Sequence, residues 1–271
     1  MASQAPAVGW ANPYQIALLP VAFCCLVTFG LWEHKFAKQP IMPLDIWTAP
    51  SFFALVLVVL FSVMSYAIGL WYLVAWQQII RQWSPLHFAI GILPHGIFGA
   101  LAAPVAAWLI PRVAAQWILA FGALVVLLSS VLLVTMPHQQ TYWAQVFPAT
   151  ILMSLCPDFI FTAAQIIATN SVKRHEQGIA GSLVSLLQLY GASTGLGFAG
   201  TVEAQTHGGG TDPIQGYRGA LYLAIGLATA ALAIDITFVR VPKDNREGWA
   251  VEEGTEKPGP ADIQRESEPL H

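Results

Sequence analysis

The sequence is short of charged residues and of cysteine, and both shortages limit what the protein can be. Only 10% of its 271 residues are charged, while 56% are hydrophobic; soluble domains carry roughly a quarter charged residues. The net charge of −3 provides no excess of positive charge that would attract a polyanion, which argues against nucleic-acid binding. The three cysteines, Cys24, Cys25 and Cys156, lack the spacing of a metal site or of a disulfide framework. The composition therefore indicates a protein whose solvent is lipid.

The sequence also lacks the residue patterns that catalysis requires. It has no Walker loop, no His-Glu-x-x-His sequence, no carboxylate pair on one helix, and no nucleophile with a nearby base. Gly195-x-Gly197-x-x-Gly200 imitates a dinucleotide-binding sequence, but it lies inside an apolar run with no strand before it. We therefore predict that the chain is not an enzyme, binds no metal and needs no cofactor.

Long apolar runs dominate the chain. A membrane-spanning helix needs about 20 mostly apolar residues, and seven runs are long enough. These runs cover residues 14–32, 51–76, 86–110, 115–136, 142–169, 179–202 and 217–241. We predict an all-α polytopic membrane bundle of about seven transmembrane helices over residues 14–241. Residues 1–13 would form an external N-terminus, and the hydrophilic residues 242–271 a disordered tail.

The basic residues are distributed unevenly between alternate loops, and this predicts the orientation. Eight of them fall on one side: Lys35, Lys38, Arg112, Lys173, Arg174, Arg240, Lys243 and Arg246. Only Arg81 and Arg218 fall on the other. Because Lys and Arg collect in short cytoplasmic loops, we expect the C-terminal tail in the cytoplasm and the N-terminus outside.

Asp158 is the strongest single indication of function. It lies near the middle of the fifth run, where an acid costs about 2.5–3.5 kcal/mol on insertion scales and should face the bundle interior or a water-filled cavity. Polar residues recur around it at helical spacing: Thr150, Ser154, Thr162, Gln165 and Thr169. Such a stripe lines either a cavity or a polar seam between helices. Asp158 is accordingly either a proton-titrating or substrate-binding acid, or a structural acid bonded to a neighbouring helix.

Four further residues have two interpretations each. His95 suits a proton relay, or it satisfies the backbone carbonyl that Pro94 frees. Tyr66, deep in the second run, suits stacking on an aromatic substrate or ordinary packing. Gln188 lies on a face of small residues in the sixth run, which either packs closely against another helix or forms a cavity wall. Asp235, in the seventh run, is either a further functional acid or the ion-pair partner of Arg240, which is within reach.

Several short stretches resemble one transporter family. Over about Val8–Arg246 the chain is similar to the C-terminal half, plus one extra helix, of the fungal fourteen-helix drug:proton antiporters of the major facilitator superfamily. The resemblance rests on Ser84-Pro85-Leu86, Gly91-Ile92-Leu93-Pro94, Pro157-Asp158-Phe159, the run from Glu176 to Ser182, and Gln188-x-x-Gly191.

The resemblance implies a secondary active transporter that exports small organic molecules, drugs or fungal secondary metabolites, using a proton gradient and no cofactor. It also implies residues for substrate binding or proton coupling: Asp158, Gln165, Thr162, His95, Tyr66 and Gln188. Lys173, Arg174 and Glu176 would form a cytoplasmic gate. The family favours the plasma membrane over the vacuolar membrane.

No part of the sequence resembles the N-terminal half of that family. Family members move substrate through a cavity between two halves, so the second half must come from elsewhere, either a missing N-terminal half or self-association. The alternative is a non-transporting membrane scaffold or regulatory fragment that pairs with a full-length transporter through its small-residue faces.

Overall fold

A computed structural model describes residues 51–138, 141–170, 177–206 and 212–239, together with part of the segment 20–32. The described parts of segment 20–32 are helical. The other helices are α1 Phe52–Ala75, which continues as a π-helical turn over Trp76–Ile80, α2 Pro85–Gly91, α3 Leu93–Leu109, α4 Ala115–Val134, α5 Val146–Asn170, α6 Gln177–Thr206 and α7 Pro213–Phe238.

The prediction of an all-α polytopic bundle is confirmed. Within the described ranges, six spans are long and apolar enough to cross a membrane, α2 and α3 together forming one of them. The first predicted run, residues 14–32, lies mainly outside the described residues. The N-terminus (1–13) and the tail (242–271) lie entirely outside them, and their predicted roles stay predictions.

The third predicted run is interrupted, because α2 ends at Gly91 and α3 begins at Leu93. Ser84 caps α2 by accepting a hydrogen bond from the His87 N–H, and Pro85 occupies the first turn, where its missing N–H costs nothing. Pro94 occupies the first turn of α3 in the same way. Because proline cannot donate to the preceding turn, the chain restarts its helix there. The single helix expected over residues 86–110 was therefore wrong at Ile92.

Glycines set the close contacts between helices. A Cβ placed on Gly195 of α6 would lie 2.8 Å from the Cα of Met64 on α1, and one on Gly122 of α4 would lie 2.5 Å from Ile160 on α5. Ala199 of α6 is fully buried. The packing role predicted for the small-residue face of α6 therefore holds at Gly195 and Ala199.

The six spans are buried to different degrees. In the most apolar stretch of each span, half or more of the residues are buried in α1, α4 and α5. In the span formed by α2 and α3, only 6% of these residues are buried. Large apolar side chains follow one another along that span at helical spacing. We call this set the α3 stripe: Leu86, Ile90, Leu93, Ile97, Leu101, Val105 and Trp108. The span is long and apolar but is scarcely covered by the rest of the described chain.

Two arginines fasten the end of α4. Arg81 donates to the Pro137 carbonyl at 3.3 Å, and Arg218 donates to the Met136 carbonyl at 3.4 Å. Cations are favourable beside the C-terminal end of a helix, and burial lowers the pKa of the Arg81 guanidinium. These are the two basic residues that the sequence assigned to the outer side, so here they serve to hold the loop that follows α4.

Candidate functional site

A groove of about 460 Å³ lies between α1, α5 and α6. Its lining residues recur every three or four positions, so each helix contributes one face. They are Val63, Tyr66, Ala67, Leu70, Trp71 and Val74 of α1, Cys156, Pro157 and Ile160 of α5, and Gln188, Leu189, Ala192 and Leu196 of α6. The groove is therefore an apolar space with few polar groups.

Tyr66 and Gln188 supply the long polar side chains of this groove. Both were singled out in the sequence, and the structure brings them together on opposite sides, one on α1 and the other on α6. Trp71, 58% exposed, stands on the same α1 face. An apolar molecule in the groove could form hydrogen bonds with Tyr66 and Gln188 and pack against Trp71.

A polar cluster of Tyr66, His95 and Asp158 adjoins the groove. The Tyr66 hydroxyl lies 3.2 Å from His95 Nε2, and the two rings are stacked with centroids 6.3 Å apart. Asp158 interacts electrostatically with His95, and its Oδ2 lies 3.9 Å from where a Cβ on Gly99 would be. All three side chains can hold or release a proton. Since Tyr66 also lines the groove, the cluster connects the mid-helix acid Asp158 with the groove.

The side chain of His95 interacts with residues of two other helices. Besides Tyr66 of α1, its side chain interacts with the Thr150 backbone of α5. Its backbone N–H donates to the Ile92 carbonyl, 2.9 Å away, which closes the turn beside Pro94. The side chain is therefore available to the cluster while the backbone keeps the helix start together.

The remaining polar residues of α5 do not form a continuous cavity wall. Thr150, Ser154 and Thr169 donate their hydroxyl hydrogens to carbonyls of their own helix. Such internal bonds satisfy a hydroxyl without any external partner. Asp158, by contrast, is half-buried and faces α3 at Gly99. The stripe thus contributes Asp158 to the cluster.

Gln165 and Thr162 stand apart from both the groove and the cluster. Gln165 Nε2 donates to the Gly181 carbonyl of α6 at 3.1 Å, and a Cβ on Gly181 would lie 2.9 Å from Gln165 Oε1. Gln165 therefore forms part of a seam between α5 and α6. Thr162 is half-buried one turn beyond Asp158. The predicted gate residues Lys173, Arg174 and Glu176 lie outside the described residues.

Sequence reasoning missed two features. Nothing in the sequence indicated that Cys156 lines the groove beside Pro157; only the packing of α5 against α1 and α6 shows this. Tyr72 donates to the Glu203 carboxyl at 2.6 Å and so joins α1 to α6. The predicted sixth run ended at residue 202, so Glu203 lay just outside it. Extending that run by one residue would have placed an acid inside the helix.

Comparison with known proteins gives relatives but no domain model, since no family model matches the chain. It is 33% identical over 238 residues to a low affinity ammonium transporter of Saccharomyces cerevisiae. It is 32% identical over 238 residues to an efflux pump of Aspergillus terreus. It is 31% identical over 236 residues to a major facilitator superfamily multidrug transporter of Aspergillus fumigatus.

Each of these alignments covers 87% of this chain but only 45%, 45% and 38% of the respective relative. The chain therefore spans less than half the length of these curated relatives. They are transporters and efflux pumps, which confirms the prediction that the chain is not an enzyme. With its six described apolar spans, it is a multi-pass membrane protein. The chain is similar to part of these fungal transporters and efflux pumps, one of which is a major facilitator superfamily multidrug transporter.

Proposed function

We propose that this chain forms one half of a proton-coupled exporter of small, largely apolar organic molecules. The observation that carries the proposal is the apolar groove joined through Tyr66 to the polar cluster. Small-molecule sites typically measure about 300–1,000 Å³ and combine apolar walls with a few placed polar groups, and the groove fits both criteria. The efflux pump and the multidrug transporter among the relatives support export.

The contact between His95 and Tyr66 supports proton coupling. While Nε2 of a neutral His95 accepts, the Tyr66 hydroxyl donates to it and offers the groove only its oxygen lone pairs. When His95 takes up a proton, Nε2 becomes a donor, and the Tyr66 hydrogen turns towards the groove. Protonation at His95, with Asp158 as the neighbouring proton carrier, would then change which hydrogen bonds a substrate finds.

The proposed transport also needs the other half of a path, whatever supplies it. Transporters of this kind place the substrate between two structural repeats that move against each other. The span formed by α2 and α3 is 6% buried by the described chain, and α6 is 22% buried. These surfaces are apolar and largely uncovered by the described chain, so they suit contact with a second set of helices.

The test is export of a hydrophobic dye driven by a pH gradient, measured in inverted membrane vesicles. The vesicles come from two kinds of cells. One expresses the chain alone, and the other also expresses the part of the Aspergillus terreus efflux pump that does not align with this chain. We expect Asp158→Asn to abolish the pH-driven component. Glu203→Gln is the matched control, since this acid lies outside the cluster. Unchanged pH-driven export by Asp158→Asn would remove Asp158 from the mechanism.

A second candidate function is a non-transporting scaffold that pairs with a full-length transporter. The α3 stripe favours it, because an apolar face that the chain itself hardly covers also suits a partner. Absence of dye export under both expression conditions, together with a stable cross-linked partner in native membranes, would support the scaffold against the exporter.

Two finer parts of the proposal concern location and gating. We place the protein in the plasma membrane in preference to the vacuolar membrane, which fractionation of the native membranes tests. The cytoplasmic gate of Lys173, Arg174 and Glu176 stays a prediction from the sequence. Thiol accessibility from the cytoplasmic side at position 174, with and without dye, would test the gate.

A further inference from the structure

Asp235 is a fully buried acid that neither the groove nor the polar cluster uses. It lies one turn before the end of α7, with 0% of its side chain exposed. Within the described residues neither of its carboxyl oxygens has a hydrogen-bond partner. The sequence suggested Arg240 as an ion-pair partner, and Arg240 lies outside the described residues.

Two hydrogen bonds join α7 to α1 and to Ser51, the residue before α1. Ser51 donates to the Phe238 carbonyl at 3.1 Å near Asp235, and Ser65 donates to the Ala224 carbonyl at 2.8 Å about three turns earlier on α7. Val239, directly after α7, is also fully buried. Asp235 is thus enclosed at a helix end that is fastened to α1.

The helices that pack against α7 place no partner at Asp235. These helices are α1, α4 and α6. Their titratable residues are Tyr66 and Tyr72 on α1 and Tyr190 and Glu203 on α6, while α4 has none. Tyr72 and Glu203 bond to each other, Tyr66 bonds to His95, and Tyr190 is exposed. In the described part of these helices nothing is available to compensate a negative charge on Asp235.

An ionised carboxylate buried without a partner is far more costly than the neutral acid. We propose that Asp235 is a proton-binding site, separate from the groove and the polar cluster, that holds a proton in this conformation. The ligand is a proton, and the site exchanges it at the end of α7 that the basic residues place in the cytoplasm. This site goes beyond the proposed function, because it does not depend on transport through the groove.

Release of this proton requires a structural change at the same helix end. An ionised Asp235 needs water or a cation, and neither reaches it while the end of α7 packs against the start of α1 and leaves Asp235 0% exposed. Deprotonation should therefore accompany separation of these two helix ends. A rise in cytoplasmic pH would favour the separated state.

Infrared spectroscopy of the full chain in lipid nanodiscs tests the site directly, because a protonated carboxyl has a carbonyl band distinct from that of a carboxylate. We expect this band at neutral pH in the wild type and its loss in Asp235→Asn, which keeps the shape and neutrality of a protonated acid. The matched control is the double variant Asp158→Asn/Glu203→Gln, which removes the other acids of the described spans and should keep the Asp235 band.

The double variant also decides the question if Asp235→Asn does not fold. A band that persists in it, and that disappears as the pH is raised, supports the site. Absence of the band in the double variant overturns the proposal, as does an unchanged band in Asp235→Asn. Asp235 is instead the ion-pair partner of Arg240 if no carbonyl band of a protonated carboxyl is present and if Arg240→Ala and Asp235→Asn lower the melting temperature equally. None of these readouts involves dye export, so the outcome is independent of the proposed function.

Discussion

At the scale of single residues, Gly195 determines how near α6 can lie to α1. A Cβ at this position would lie 2.8 Å from the Met64 Cα, and a backbone atom cannot move aside as the end of a side chain can. We expect Gly195→Ala to force the helices apart and to destabilise the fold by about 1–3 kcal/mol. Thermal unfolding of the purified protein in detergent would show this as a lower melting temperature.

Gly226 of α7 is the matched control for that substitution. Nothing lies within 4 Å of a Cβ built there, so Gly226→Ala should gain only helix propensity, up to about 1 kcal/mol. Equal melting temperatures for the two variants would contradict the close-packing role of Gly195.

The Tyr66 hydroxyl separates proton coupling from substrate contact. Tyr66→Phe keeps an aromatic ring in the groove but removes the hydroxyl that lies 3.2 Å from His95 Nε2. We expect pH-driven dye export to lose its pH dependence while the apparent affinity for an apolar dye changes little. Gln188→Leu should do the reverse, altering the preference among dyes with unchanged pH dependence. The assignment fails if both variants show the same change.

The candidate site was predictable from the sequence only where the chemistry of a side chain was enough. A mid-helix acid and a deep tyrosine are conspicuous in an apolar run, so Asp158 and Tyr66 could be named from the sequence, and their roles stay predictions. Gln165 was predicted to bind substrate or couple protons, but spacing along one helix does not reveal which neighbour a side chain meets, and Gln165 bonds to the Gly181 backbone. Cys156 was missed because its place in the groove depends on how three helices pack.

At the scale of helices, the Tyr72–Glu203 hydrogen bond joins α1 to α6. Tyr72 is 2% exposed and donates to the carboxyl at 2.6 Å. Tyr72→Phe leaves the acid without its donor, and we expect a loss of about 1–2 kcal/mol. Glu203→Gln keeps an acceptor and should lose less. Melting curves of both variants provide the measurement, with Tyr222→Phe on the exposed face of α7 as the control that should not change.

The sequence located the apolar helices well because length and hydropathy define a span. Their ends were less certain. The π-helical turn over Trp76–Ile80 extends α1 beyond its predicted end at residue 76, and the break at Ile92 divides a run that stays apolar throughout. Both features depend on local backbone geometry that hydropathy does not record. Pro94 was the one visible sign of the break.

At the scale of the whole molecule, the α3 stripe should be a contact surface and not a lipid-facing one. All spans are apolar, so hydropathy could not distinguish faces toward lipid from faces toward protein. Burial shows which spans the described chain itself covers, since the α2–α3 span is 6% buried while α4 is 61% buried. The aligned residues cover only 45%, 45% and 38% of these relatives, so each relative has further residues without a counterpart here, of the kind that could cover that span.

A thiol-labelling comparison in native membranes tests this contact surface. With Cys24 and Cys25 replaced by Ser, and the groove residue Cys156 replaced by Ala, Ile97→Cys reports on the α3 stripe and Phe121→Cys on the outer face of α4. Both positions are exposed in the described chain, at 58% and 41%. Because a covering helix excludes the reagent, a membrane-permeable maleimide should label position 97 several-fold more slowly than position 121. Detergent that separates the partner should equalise the two rates, whereas equal rates before solubilisation would mean that lipid covers the α3 stripe.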